Sequence, residues 1–136
     1  MGLFKKKREK GETDKSEFID IEIKHLFDWN EPNGEGCIVS DRITKEGWKV
    51  GYMYRDEPTP GYPDSGWHFY KGDEDEEYSN NPSNHHVFAI NTICNYDSDI
   101  IPYLHSPIGT YLIRTEDGVF IEDDGTKEIC MVRQEH

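Results

Sequence analysis

The chain has 136 residues, of which 28 are acidic and 15 basic, for a formal net charge of −13. That length supports one domain with a single sizeable core, and the charge excludes nucleic acid and anionic lipid as partners, because phosphate binding needs Lys and Arg to displace counterions. Mean hydropathy is −0.88, yet aromatics make up 12% of the residues, a content that disordered chains lack, so a folded domain with a heavily solvated exterior and a basic protein surface as its neighbour is expected.

Residues 1–15 carry six basic groups, Lys5, Lys6, Lys7, Arg8, Lys10 and Lys15, against three acidic ones, Glu9, Glu12 and Asp14. Residues 1–17 therefore read as a flexible basic tail, residues 18–125 as the domain and residues 126–136 as an extension. Gly2 followed by lysines raises a lipid anchor, but Lys6 stands where a myristoylation signal needs Ser or Thr. The opening residues also lack the apolar stretch of a secretory signal, and no apolar run reaches the length of a membrane span. A cytoplasmic protein without membrane insertion is expected. Cys37, Cys94 and Cys130 are odd in number and lack a C-x-x-C spacing, so they read as reduced, mostly buried thiols.

From Phe18, the residues Ile19, Ile21 and Ile23 alternate with Asp20, Glu22 and Lys24, the period of a half-buried strand. A turn at Glu31 to Gly34 precedes Cys37 to Ser40, a short apolar run fit for an inner strand. Trp48 to Arg55 predicts a strand with Trp48, Val50, Tyr52 and Tyr54 on one face. Residues 56–65 contain three prolines and a glycine and predict a loop. Gly66 to Lys71 resumes strand character, and Gly72 to Asn84 predicts a second, acidic loop long enough to carry function. Val87 to Ile90 predicts a short strand and Asn91 to Asn95 a helical turn. Asp97 or Ser98 then caps a short helix through Leu104 despite Pro102. Thr110 to Arg114 and Val119 to Glu122 predict a hairpin, closed by Asp117-Gly118 in the geometry that such turns favour. The apolar cluster Ile129 to Val132 either adds an edge strand or hangs free.

The densest chemical feature is Asp73-Glu74-Asp75-Glu76-Glu77 between Gly72 and Tyr78. A calcium loop starting at Asp73 needs Gly where Tyr78 stands and Glu where Asn84 stands. Consecutive side chains on an extended chain also point to opposite faces. A solvated acidic loop is favoured over a metal cage. As a contact surface, these carboxylates with Asp64, Trp67 and Tyr78 would meet a basic patch, the aromatics anchoring and the charges speeding encounter. The alternative is that Trp67 and Tyr78 belong to the core.

His68, His85, His86 and His105 show no metal-ligand spacing, and the surroundings of Cys94 match no nucleophile turn. Asp64 and the acidic run flank an aromatic segment as a sugar cleft would, but a glycosidase needs a defined carboxyl separation. No phosphate loop, dinucleotide fingerprint or cofactor motif is present.

The segments GCIVSDRI, WKVGYMYRDEP, DSGWHFYKGDEDEEY, NTICNYDSDIIPYL and SPIGT follow in that order between Gly36 and Gly109. Together they resemble the immunity protein 33 family of bacterial polymorphic toxin systems, over somewhat more than half the chain. The resemblance implies a cytoplasmic antidote that binds a protein toxin, and it names no catalytic residues.

The expectation is an α+β domain with a mainly antiparallel sheet of about five or six strands and one or two short helices. Its partner is expected to be a toxin with a basic surface, masked through Asp64, Trp67, Asp73, Glu74, Asp75, Glu76, Glu77 and Tyr78, without catalytic residue, metal or cofactor. The rival readings are a small hydrolase using the same loops as a cleft and a regulatory binding module unrelated to toxins.

Overall fold

In the computed structural model, which describes residues 17–123, six strands form one sheet. They are β1 (Gly36–Ser40), β2 (Tyr52–Arg55), β3 (Trp67–Tyr70), β4 (His85–Ala89), β5 (Tyr111–Arg114) and β6 (Phe120–Asp123). Their order across the sheet is β4-β1-β3-β2-β5-β6. Every pairing is antiparallel except β1 with β3, where Ile38 lies opposite His68 and Val39 opposite Phe69. Three short α-helices, α1 (Asp41–Thr44), α2 (Glu76–Ser79) and α3 (Ile90–Tyr96), and 3₁₀ turns at Pro82–Asn84 and Ser98–Tyr103 complete the α+β arrangement. The basic tail, Glu17 apart, and the extension with Ile129 to Val132 lie outside the described residues.

Alternation along each strand sorts the side chains between two faces. On one face Cys37, Val39, Met53, Trp67, Phe69 and Leu112 pack against Ile90, Ile93 and Cys94 of α3 and against Ile100 and Leu104. At roughly 1.5–3 kcal/mol for each large apolar side chain fully buried, this layer is the main favourable contribution to folding. The other face gathers Tyr52 and Tyr70 with Tyr54, Tyr111 and Ile113. The Asp117-Gly118 hairpin forms as expected: Gly118 has φ +86°, and the Thr115 N–H donates to the Val119 carbonyl at 2.9 Å. The Asp97 side chain caps the Ser98–Tyr103 turn by accepting the Asp99 N–H at 3.1 Å, and Pro102 sits inside that turn.

Three expectations need correction. The alternating segment from Phe18 is extended but joins no strand of the sheet. It lies along α3, where side-chain amides replace a ladder. Asn95 Oδ1 accepts the Lys24 N–H at 2.9 Å, and Asn91 Oδ1 accepts those of Leu26 and Phe27 at 2.8 and 3.0 Å. Both amide nitrogens donate to the Lys24 carbonyl. Period two marks any extended chain, and here Phe18 and Ile23 stay 40% and 48% exposed.

The strand expected from Trp48 begins only at Tyr52. Val50 turns into the helix-side core, and its N–H donates to Asp97 Oδ2 at 2.9 Å instead of to a neighbouring strand. The backbone passes so close at Gly51 that a Cβ there would lie 2.1 Å from the Lys71 carbonyl oxygen. Trp48 remains at the surface, with Lys71 Nζ 4.4 Å from its ring centre.

The stretch expected as one acidic loop contains two turns of helix. Asp75 caps α2 by accepting the Tyr78 N–H at 2.8 Å, and Asn81 caps the 3₁₀ turn, which has Pro82 in its first position. An Asx cap and a leading proline are local start signals for helix.

Candidate functional site

The acidic run divides into carboxylates that hold the fold and carboxylates that face solvent. Glu74 is 2% exposed, and its two oxygens accept the N–H groups of Lys71 and Gly72 at 2.9 and 2.8 Å. It closes the turn that leaves β3. Asp73, Asp75, Glu76 and Glu77 are exposed. Asp73 accepts from Lys71 Nζ at 2.6 Å and lies 3.6 Å from Arg42 Nε. The hydrogen bond from Lys71 holds its carboxyl below the ordinary range. Tyr78 is half-buried beneath Arg42, whose guanidinium carbon lies 4.6 Å from the ring centre.

Asp64 and Trp67 stand apart from that run. Asp64 precedes β3 and the run follows it, so the two occupy opposite ends of the strand. Partial burial opposes ionisation of Asp64, but the N–H groups of Thr59 and Gly66 outweigh it and hold its carboxyl below the ordinary range. Trp67 is fully buried; its Nε1 donates to the Leu104 carbonyl at 3.0 Å and its ring stacks on Phe69. The fold thus brings Asp73, Asp75, Glu76, Glu77 and Tyr78 together, leaves Asp64 at a distance along the chain and places Trp67 and Glu74 inside.

A second constellation, on the tyrosine face, escaped the sequence reading. The register sets Val87, Ile38, His68, Tyr54 and Tyr111 side by side across five strands. His68 and Tyr54 stack with ring centres 4.5 Å apart and planes within 9°, and Tyr54 stacks further on Tyr111 and Tyr70 at 5.4 and 6.1 Å. A cavity of 350 Å³ opens here, lined also by Ser79, Pro82, His85, His86 and Val87. The period-two pattern gave the faces of each strand, but cross-strand order was needed to assemble these rings.

Burial pushes the His68 imidazole down to about 4 from its ordinary 6.5, against the opposing pull of Asp56 and Asp64. Burial also lowers that of His85. The unfolded chain therefore takes up these protons first, so between about pH 6.5 and 4 it binds more protons than the fold and stability declines as pH falls. His68 alone contributes a slope of at most about 1.4 kcal/mol per pH unit. Urea midpoints are expected to drop across this window, and His68→Phe to lose much of that drop. An undiminished slope in the variant would show that His68 is protonated in the fold.

Neither described cysteine offers a nucleophile. Cys37 and Cys94 are buried and unpaired, and burial raises both thiols, that of Cys94 to about 12. Among the described residues no three His, Cys, Asp or Glu side chains gather in a way that could hold a metal ion.

A family model described as Immunity protein Imm33 domain matches residues 37–124. That span runs from β1 to the end of β6 and leaves the Phe18 segment outside. No curated protein and no solved structure matches the chain.

Proposed function

Since the chain belongs to the Imm33 family of immunity proteins, we propose that it binds a protein toxin in the cytoplasm and neutralises it by masking a basic active or substrate-binding surface. The observation that carries the basic partner is the concentration of exposed carboxylates at Asp73, Asp75, Glu76 and Glu77, beside the half-buried Tyr78, on a chain of net charge −13. Charges at a rim speed encounter and fix register, and a tyrosine beside them supplies area at small entropic cost. Neutralisation by masking needs no covalent step. A hydrolase of the glycosidase kind would need two carboxyl groups flanking the scissile bond, whereas Asp64 is tied to Thr59 and Gly66 at the end of β3 away from Asp73.

Capture from native cells is expected to recover a toxin domain that the added protein silences. The double variant Glu76→Lys/Glu77→Lys then tests the surface. Both side chains are exposed, so stability should change by less than about 1 kcal/mol, while affinity for the captured toxin falls about tenfold or more, mainly through slower association. A folded variant that protects as well as the parent would remove the acidic segment from the interface. Failure to capture any toxin would count against neutralisation itself.

A further inference from the structure

The tyrosine-face cavity has the chemistry of a receptor for a planar cation. Its volume of 350 Å³ lies near the lower end of the ~300–1,000 Å³ typical of ligand sites, room for one side chain. Rings of Tyr54, His68 and Tyr70 wall it; Tyr54, stacked between His68 and Tyr111, holds the His68 ring in place, and an uncovered tyrosine face attracts a guanidinium by stacking and by its quadrupole.

Hydrogen-bonding capacity is present and unused. His68 Nδ1, His85 Nε2 and Ser79 Oγ are all closed off from solvent and have no hydrogen-bond partner, and all three residues line the cavity. A buried polar atom without a partner is costly, so a donor that reaches these atoms after rotation of the surrounding rings gains bonds that water does not already supply. Both imidazoles are held neutral by burial, and a neutral imidazole keeps one acceptor nitrogen. In His85 a proton drawn toward the Asn81 backbone leaves the lone pair on Nε2.

Charge selects the sign of the ligand. Asp56 and Asp64 act on His68, and Glu74 and Asp41 act on His85, while no Lys or Arg is among the lining residues. Lysine fits less well than arginine, because its ammonium is compact, strongly hydrated and unable to stack.

We propose that this cavity receives one arginine side chain of the protein partner, with the guanidinium laid against the Tyr70 ring and hydrogen-bonded to ring nitrogens of His68 and His85. The partner's identity as a toxin rests on the function proposed above; the preference for arginine does not.

The test begins without a toxin. Acetyl-Gly-Arg-Gly-amide is titrated into the full chain while the ring signals of His68, His85 and Tyr54 are followed by NMR, beside the same peptide with lysine. Saturable shifts at these rings are expected with arginine at millimolar concentration, and affinity for lysine about tenfold weaker. Tyr54→Phe keeps the stacking face and should still bind; Tyr54→Leu should not, with His85→Ala as a second loss variant on strand β4. No saturable shift, or equal shifts with lysine, overturns the proposal. With a captured toxin in hand, Tyr54→Leu should weaken the complex about tenfold or more. A complex that responds to Glu76→Lys/Glu77→Lys but not to Tyr54→Leu overturns the arginine receptor and leaves neutralisation standing. Arginine binding without any toxin does the reverse.

Discussion

Trp67→Ala is expected to destabilise the domain by about 4 kcal/mol, through lost burial and the cavity left behind. The indole is fully buried in the helix-side core, stacked on Phe69 with ring centres 5.9 Å apart. Its Nε1 also satisfies the Leu104 carbonyl, so truncation leaves a buried acceptor unpaired. Against a total stability of about 5–15 kcal/mol for a small domain, that loss is large. Equilibrium urea unfolding should show a lowered midpoint with an unchanged denaturant slope. Any loss of partner binding should follow the fraction unfolded and return when the sample is cooled to where the variant folds. A variant of parental stability that fails to bind would instead put Trp67 in the contact surface.

Removing the Asp97 side chain carries a comparable cost, about 3–5 kcal/mol for breaking a buried ion pair from one side. Asp97 is 1% exposed. One oxygen accepts the Val50 N–H at 2.9 Å and Arg114 Nη1 at 3.2 Å, and the other caps the 3₁₀ turn through the Asp99 N–H. Asp97→Ala strands the Val50 N–H and leaves a mostly buried guanidinium with the Val50 and Gly118 carbonyls and the exposed Asp99 as remaining partners. Asp97→Asn keeps acceptor capacity and should cost less than half as much. In a double-mutant cycle, Arg114→Ala made together with Asp97→Ala should cost less than the two single changes summed, because the contact the two residues share is then lost only once. Strict additivity would mean that Arg114 is held by its other contacts and that the pair is incidental.

Local signals carried most of the fold. Asp117-Gly118 announced a hairpin because its turn requires positive φ at Gly118. The Asp97 cap was legible because a short acceptor side chain ahead of a helical turn satisfies free N–H groups. The inner position of Cys37 to Ser40 followed from an apolar run, and β1 does lie between β4 and β3. Where the reading failed, a distant group intervened. Asn91 and Asn95 hold the Phe18 segment across 64 residues or more, and Asp97 takes the Val50 N–H from 47 residues away. No local pattern contains such partners.

The candidate site shows the same division. Five adjacent carboxylates were plain in the sequence, but only the path of the chain separates Glu74, which binds two backbone N–H groups, from its exposed neighbours. The ring assembly of Tyr54, His68, Tyr70 and Tyr111 joins strands adjacent in space in the order β3-β2-β5.

By itself the amino-acid sequence determined an acidic α+β domain of mainly antiparallel strands, its resemblance to a family of immunity proteins and the place where its charge is concentrated. These depend on composition, short-range periodicity and residue order. Tertiary structure alone decided that Trp67 and Glu74 serve the core, that the Phe18 segment is clamped by asparagines instead of a ladder, and that three histidines and two tyrosines line one cavity. Those outcomes depend on register and strand order, which are set by packing between segments far apart in the chain.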